Sequence, residues 1–111
     1  MLPKSQRLNL KTSFKWVASG KHLQTPSFKL MVKFSDNPLP LVGIALSKDQ
    51  FKKAVDRNRA RRLTSKAIEG LYPSLLNRLN LVIMPKAVVL EKSPDQLSNE
   101  LKNVKDLYTT N

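Results

Sequence analysis

The sequence predicts an α+β fold in a single domain, residues 1–111, with helices packed on one mixed β-sheet. Three observations lead there. Stretches with a helical period and stretches with a period of two both occur along the chain. A long helical segment is followed by an apolar strand that must return to the same sheet, so a helix layer on one sheet face is the economical architecture. The chain has 111 residues and no repeat, linker or low-complexity segment, a length that suits one core.

Taken in order, Phe14, Val17 and Ala18 follow i, i+3, i+4 spacing behind candidate caps Thr12 or Ser13, and Gly20 closes the pattern, which predicts a short helix over 11–19. An extended piece near His22–Gln24 is expected to pair beside the strands that follow. Residues 27–34 alternate, with Phe28, Leu30, Val32 and Phe34 on one face and Lys29, Met31 and Lys33 on an outer, basic face. The 36–40 stretch, Asp-Asn-Pro-Leu-Pro, is loop chemistry, and 41–47 reads as a second strand, antiparallel to the first through that short connection. Residues 54–71 lack Pro and have no Gly before Gly70; Ala60, Leu63, Ala67 and Leu71 draw a narrow apolar stripe along the expected helix. Leu79–Met84 predicts a largely buried strand. Ser93-Pro94-Asp95 opens a last helix, with Leu97, Leu101 and Val104 on one side and Tyr108 beyond them as core.

Composition narrows the function. There are no cysteines, which removes disulfides, thiolate zinc sites and cysteine nucleophiles. No apolar run approaches the roughly 20 residues of a membrane helix and no signal-peptide block opens the chain, so a cytoplasmic protein is expected. The net charge is +12 and it is segregated: residues 1–34 hold seven bases and no acid, residues 48–66 hold eight bases against Asp49 and Asp56, and five bases balance five acids from 67 onward. A solvating surface would not segregate this way, and a polyanion, nucleic acid before membrane or acidic protein, is the expected partner.

The densest cationic string is Lys52-Lys53-Ala54-Val55-Asp56-Arg57-Asn58-Arg59-Ala60-Arg61-Arg62. On a helix Arg57 and Arg61 share one line, Arg62 and Lys66 another about 100° away, and Arg59 flanks the apolar stripe. Guanidinium forks match phosphate oxygens, and Asn58 can donate and accept toward a sugar or base edge. With six bases facing one acid over 52–62, intrahelical ion pairs are scarce.

Val42-Gly43-Ile44-Ala45-Leu46-Ser47-Lys48, then Ala54 to Leu63 with its Arg57-Asn58-Arg59 element, preceded by Arg7-Leu8 and Phe14, resembles the protein subunit of bacterial ribonuclease P from about Arg7 to the last helix. The resemblance implies an α-β-β-β-α-β-α sandwich with a left-handed βαβ crossover, a hand uncommon elsewhere. It implies a subunit of an endonuclease that removes the 5′ leader of precursor tRNA, with catalysis and Mg²⁺ in the RNA partner and no cofactor bound by the protein alone. Arg57, Asn58, Arg59, Arg61 and Arg62 match the helix that contacts the catalytic RNA. Lys48 and Lys53 lie in its approach and Lys66 follows. Phe14 matches the aromatic of a central leader cleft, to which Trp16, Lys29, Met31 and Lys33 are assigned. Ala18 and Met31 stand where the family often has further aromatics, so a leader contact driven mainly by charge is expected.

No catalytic or metal-binding residues are assigned to this chain. His22 has no second His or Cys, and the eight carboxylates are scattered. A ribosomal-type structural RNA-binding protein is the alternative; a DNA reader would show a turn and helix before its recognition helix, and none is visible.

Overall fold

The computed structural model describes residues 2–109. Its elements are helix α1 (Leu10–Ala18), strands β1 (Lys21–Gln24), β2 (Phe28–Phe34) and β3 (Leu41–Ile44), helix α2 (Ala54–Glu69), strand β4 (Leu79–Pro85) and helix α3 (Pro94–Lys102), joined by short 3₁₀ turns. The sheet runs β1-β2-β4-β3. β1 is antiparallel to β2 and β2 to β4, whereas β3 and β4 are parallel. The expected antiparallel pairing of 41–47 with 27–34 is therefore wrong: β4 lies between them. The reason is in β4 itself, where every residue except the half-buried Met84 is buried. A strand apolar on both faces gains most at the centre of a sheet covered on both sides, and the shorter β3 is left at the edge. Its ladder ends at Ile44, with Ala45 N still donating to Ile83 O at 3.0 Å.

The helices also divide between the two faces, which corrects the expected single helix layer. On one face Phe28, Leu30, Val32, Val42, Leu79, Leu81 and Ile83 meet Ala60, Ala67 and Ile68 of α2 and Leu97 and Leu101 of α3. On the other, Val17 and Leu8 cover Met31 and Val82, with Phe14, Ala18, Ala45 and Met84 half-buried around them. So the strand face carrying Met31 is no solvated outer face; α1 lies over it and Met31 is 3% exposed. Two glycines permit this approach. A Cβ on Gly43 would stand 2.7 Å from Leu10 Cδ2, and one on Gly20 would stand 2.3 Å from Val32 O.

Local details differ from expectation in physically legible ways. Asn9, one residue before α1, is its cap and accepts from Lys11 N at 3.0 Å, in place of Thr12 or Ser13. α2 stops at Glu69, and Ile68 and Thr64 join Ala60 and Ala67 on its buried side, so its apolar stripe is broader than Ala60, Leu63, Ala67 and Leu71. α3 begins with a reciprocal cap between Ser93 and Gln96, as Ser93-Pro94 predicts. Val104 and Tyr108 pack on the core from beyond its end.

α3 is tied to the sheet by Glu100. Its carboxylate accepts from Thr25 Oγ1 at 2.5 Å, from Ser27 N and Oγ at 2.9 Å each, and from Lys92 Nζ at 3.0 Å. Burial alone would raise its pKa, but the bonds from Thr25, Lys92 and Ser27 outweigh burial and hold it below the ordinary 4.5. A depressed carboxyl contributes stability that is present above the ordinary value and lost as pH falls through the folded value. Glu100→Gln is expected to cost about 1–3 kcal/mol at neutral pH, since it leaves Lys92 and several donors poorly matched. Urea unfolding from pH 7 down through 4 checks this: the parent's advantage over the variant should shrink as acid titrates Glu100.

Candidate nucleic-acid interface

β3 leaves the sheet beside the end of β4, and the chain turns through 45–53 before entering α2. Phe51, 1% exposed, plugs that loop into the core, and Gln50 Oε1 accepts from Ala87 N at 2.9 Å. Sequence reading passed over Phe51, although a lone aromatic amid lysines was the available signal. The loop thereby holds exposed Lys48, Lys52 and Lys53 at one end of the sheet. Lys29, at the start of β2, and Lys86, just after β4, stand at that same end, since Lys29 pairs with Met84. Lys86 Nζ is fixed by Gln24 Oε1 at 3.2 Å and Thr25 O at 3.1 Å.

α2 then runs back across the sheet, reaching the opposite end where Tyr72 OH donates to Pro40 O at 2.6 Å. Its N-terminus has no side-chain cap from Lys53. Arg57 fastens the entry instead, donating from Nη1 to Phe51 O at 2.8 Å and to Lys52 O at 3.2 Å. It is half-buried and does not project with Arg61 as the helical wheel expects. Asn58, Arg59, Arg61, Arg62 and Lys66 are all exposed. Arg61 flanks the side facing Arg7, Leu10 and Val42, and Arg59, Arg62 and Lys66 border a hollow reaching Pro94 of α3. The ion pairs Lys21–Asp106 and Lys92–Glu100 lie away from this helix.

The five residues assigned to a single cleft do not come together. Phe14 is half-buried beside Met84, Ala18 and Ala45, with Lys29 on the strand position opposite Met84. Phe14 and Met84 thus give a partly exposed apolar surface with one cation, Lys29, beside it. Met31 lies beneath α1. Trp16 sits about 160° around α1 from Phe14, and Lys33 lies with it, its Nζ 5.0 Å from the indole centroid and 2.8 Å from Ser19 Oγ. His22, also at the α1 end, has Nε2 2.6 Å from Ala18 O. Among the described residues no three His, Cys, Asp or Glu side chains stand close enough to hold a metal, and no helix is long and apolar enough to cross a membrane.

A small α+β domain with an arginine-rich crossover helix on one sheet face, and a lysine beside an apolar surface on the other, is built to bind polyanions. The ribonuclease P family model matches residues 2–108. Curated ribonuclease P protein components of Pseudoalteromonas atlantica and a Pseudanabaena species are 32% and 30% identical over 95 and 106 residues. These spans cover 85% and 94% of this chain and 74% and 91% of theirs. The Thermotoga maritima RNase P protein, solved with 1-(4-fluorophenyl)-2-thiourea, superposes with a TM-score of 0.80 at 20% identity over 95% of this chain and all of its own. The chain belongs to the ribonuclease P protein family and is a protein component of ribonuclease P. The element order and mixed four-stranded sheet are those the sequence resemblance implied.

The two arginine environments make a clean contrast. Arg57→Ala should lower stability by about 1–2 kcal/mol, because it strands two carbonyls that now have a charged donor. Arg62→Ala, at an exposed position, should stay within about 0.5 kcal/mol of the parent. Chemical denaturation of both variants is the check, with equal losses contradicting the bracing role given to Arg57.

Proposed function

We propose that this subunit holds two RNAs at once in the endonucleolytic removal of 5′ leaders from precursor tRNA: the catalytic RNA on α2 and the leader in the groove beside α1. The observation that carries the reading is the placement of two cationic surfaces on opposite faces of one sheet. A single duplex lying on the crest of α2 would leave the Phe14–Lys29 groove free. Arg59, Arg61, Arg62, Lys66 and Asn58 would grip backbone phosphates and sugars of the catalytic RNA, with Lys48 and Lys53 leading toward the other face. Arg57 would contribute chiefly by fixing the loop that presents those lysines.

In the groove the half-buried Phe14 offers an apolar surface for a base and Lys29 a counter-charge for the backbone. With Ala18 small and Met31 covered, stacking is worth the low end of the roughly 1–3 kcal/mol per base seen for aromatic platforms. The hydrolysis itself, and the Mg²⁺ it needs, are assigned to the RNA partner, and the protein to cationic screening and leader capture that broaden the substrate range. The site of action is the cytoplasm. The half-buried Phe14 beside Lys29 favours this reading over that of a ribosomal-type structural protein, which needs no second surface for a single strand.

Three outcomes are expected. Protein alone should leave precursor tRNA intact with Mg²⁺ present, and addition of the cognate catalytic RNA should bring specific leader release, read on a denaturing gel. Arg62→Ala/Lys66→Ala should weaken binding to the catalytic RNA and flatten its log–log salt slope by roughly 1.4–1.8, two phosphates' worth of counterions. Lys29→Ala and Phe14→Ala should each narrow the affinity gap between precursor and mature tRNA, Lys29 more so; a gap unmoved by either would remove the leader from this groove.

A further inference from the structure

We infer that Trp16 and Lys33 form a second contact for an unpaired ribonucleotide, on the flank of α1 turned away from the Phe14–Lys29 groove. The inference rests on the RNA-binding reading above but adds a site to it. Trp16 is 39% exposed although it belongs to a helix packed on the sheet. Beside it, Lys33 is fixed rather than free. Its Nζ lies 5.0 Å from the ring centroid and donates to Ser19 Oγ at 2.8 Å, and Ser19 Oγ in turn donates to Trp16 O at 2.6 Å.

That chain of contacts orders an aromatic ring at the surface with an ammonium group over one of its faces. Both partners of the ammonium are neutral, and no carboxylate among the described residues pairs with it. Its charge is therefore available to an anion. An exposed indole with a fixed cation over one face suits a base packed against the part of the ring that Lys33 leaves open, with its phosphate against the ammonium. Ordinary core packing needs neither the cation nor the exposure. The nucleotide's source is either the tRNA substrate or the catalytic RNA, since both present unpaired bases.

Trp16 is the only tryptophan of the chain, so its fluorescence reports the site without a label. The full-length protein is titrated separately with precursor tRNA, mature tRNA and catalytic RNA, with iodide quenching read at each end point. Binding should change the emission and shield Trp16 from iodide in at least one arm. A response to precursor but not mature tRNA places the nucleotide in the leader; a response to both places it in the tRNA body, and one to catalytic RNA alone places it there. For the responding RNA, Trp16→Leu should weaken binding about fivefold or more, the lower end of a stacking contribution. Trp16→Phe should retain most of the affinity, and Lys33→Gln should lose about threefold or more through one phosphate contact. If Trp16→Leu fails to fold by circular dichroism, Trp16→Phe, Lys33→Gln and the parent's fluorescence still decide. Emission and iodide access unchanged by all three RNAs, or Trp16→Leu and Lys33→Gln variants that fold and bind like the parent, would overturn the site. If Arg62→Ala/Lys66→Ala nonetheless weakens RNA binding, only this contact fails; if that variant also binds as the parent does, the RNA-binding reading fails with it.

Discussion

The rest of the structure depends on the burial of β4 on both of its faces. A strand with Leu79, Leu81 and Ile83 on one side and Val82 on the other, all 0% exposed, has to be central and has to be covered twice. Placing it between β2 and β3 forces β3 to the edge and makes β3 and β4 parallel neighbours. Parallel neighbours cannot be joined by a hairpin, so the connection between them must cross the sheet, and α2 is that connection. The arginine-rich helix is thus laid across the molecule by a core requirement rather than by its own amphipathicity. Its N-terminal turn, with Ala54 and Val55 exposed, buries little.

The same constraint explains where the lysines of the loop go. Because β3 ends level with Ile83, the following residues emerge beside Met84 and Pro85, where β2 begins with Phe28 and Lys29. Phe51 and Gln50 pin that stretch against the core and the turn after β4. The cationic approach to α2 and Lys29 of β2 therefore meet at one end of the sheet without any contact designed to join them. Arg57 is part of this arrangement. Spending its guanidinium on two loop carbonyls removes one cation from the crest of α2 but holds the loop lysines in position.

Much of this was legible in the sequence. Every helix and strand lies close to where periodicity puts it, because each carries either a clear period or a clear stop such as Gly20, Gly70 or Ser93-Pro94. Strand order was not legible, since Leu41–Ile44 and Leu79–Pro85 are both short apolar runs and neither run names its neighbour. The side of the sheet taken by α1 was hidden for a related reason: Lys29 and Lys33 flank Met31 and make that face look solvated, while their long stems can leave the helix edge and reach water. The helical wheel located the exposed arc of α2 from Arg61 round to Lys66. It could not show that Arg57, at the edge of that arc, turns back to the loop, because the carbonyls it satisfies belong to residues outside the helix. The single cleft of five residues failed on geometry of the same kind, for Phe14 and Trp16 are two apart in sequence and so on opposite flanks of one helix.

A net charge of +12 on 111 residues would strain a compact domain if the cations were gathered on one patch. Here the exposed cations of α2 and Lys29 beside α1 lie on opposite faces of a sheet already covered on both sides and approach each other only at one end, in a molecule measuring 37 × 28 × 25 Å. Cations that the sheet or the length of α2 holds more than a Debye length apart, about 8 Å at physiological salt, repel one another weakly. Spreading the cations over both faces and along α2 thus lowers their mutual cost in the free protein.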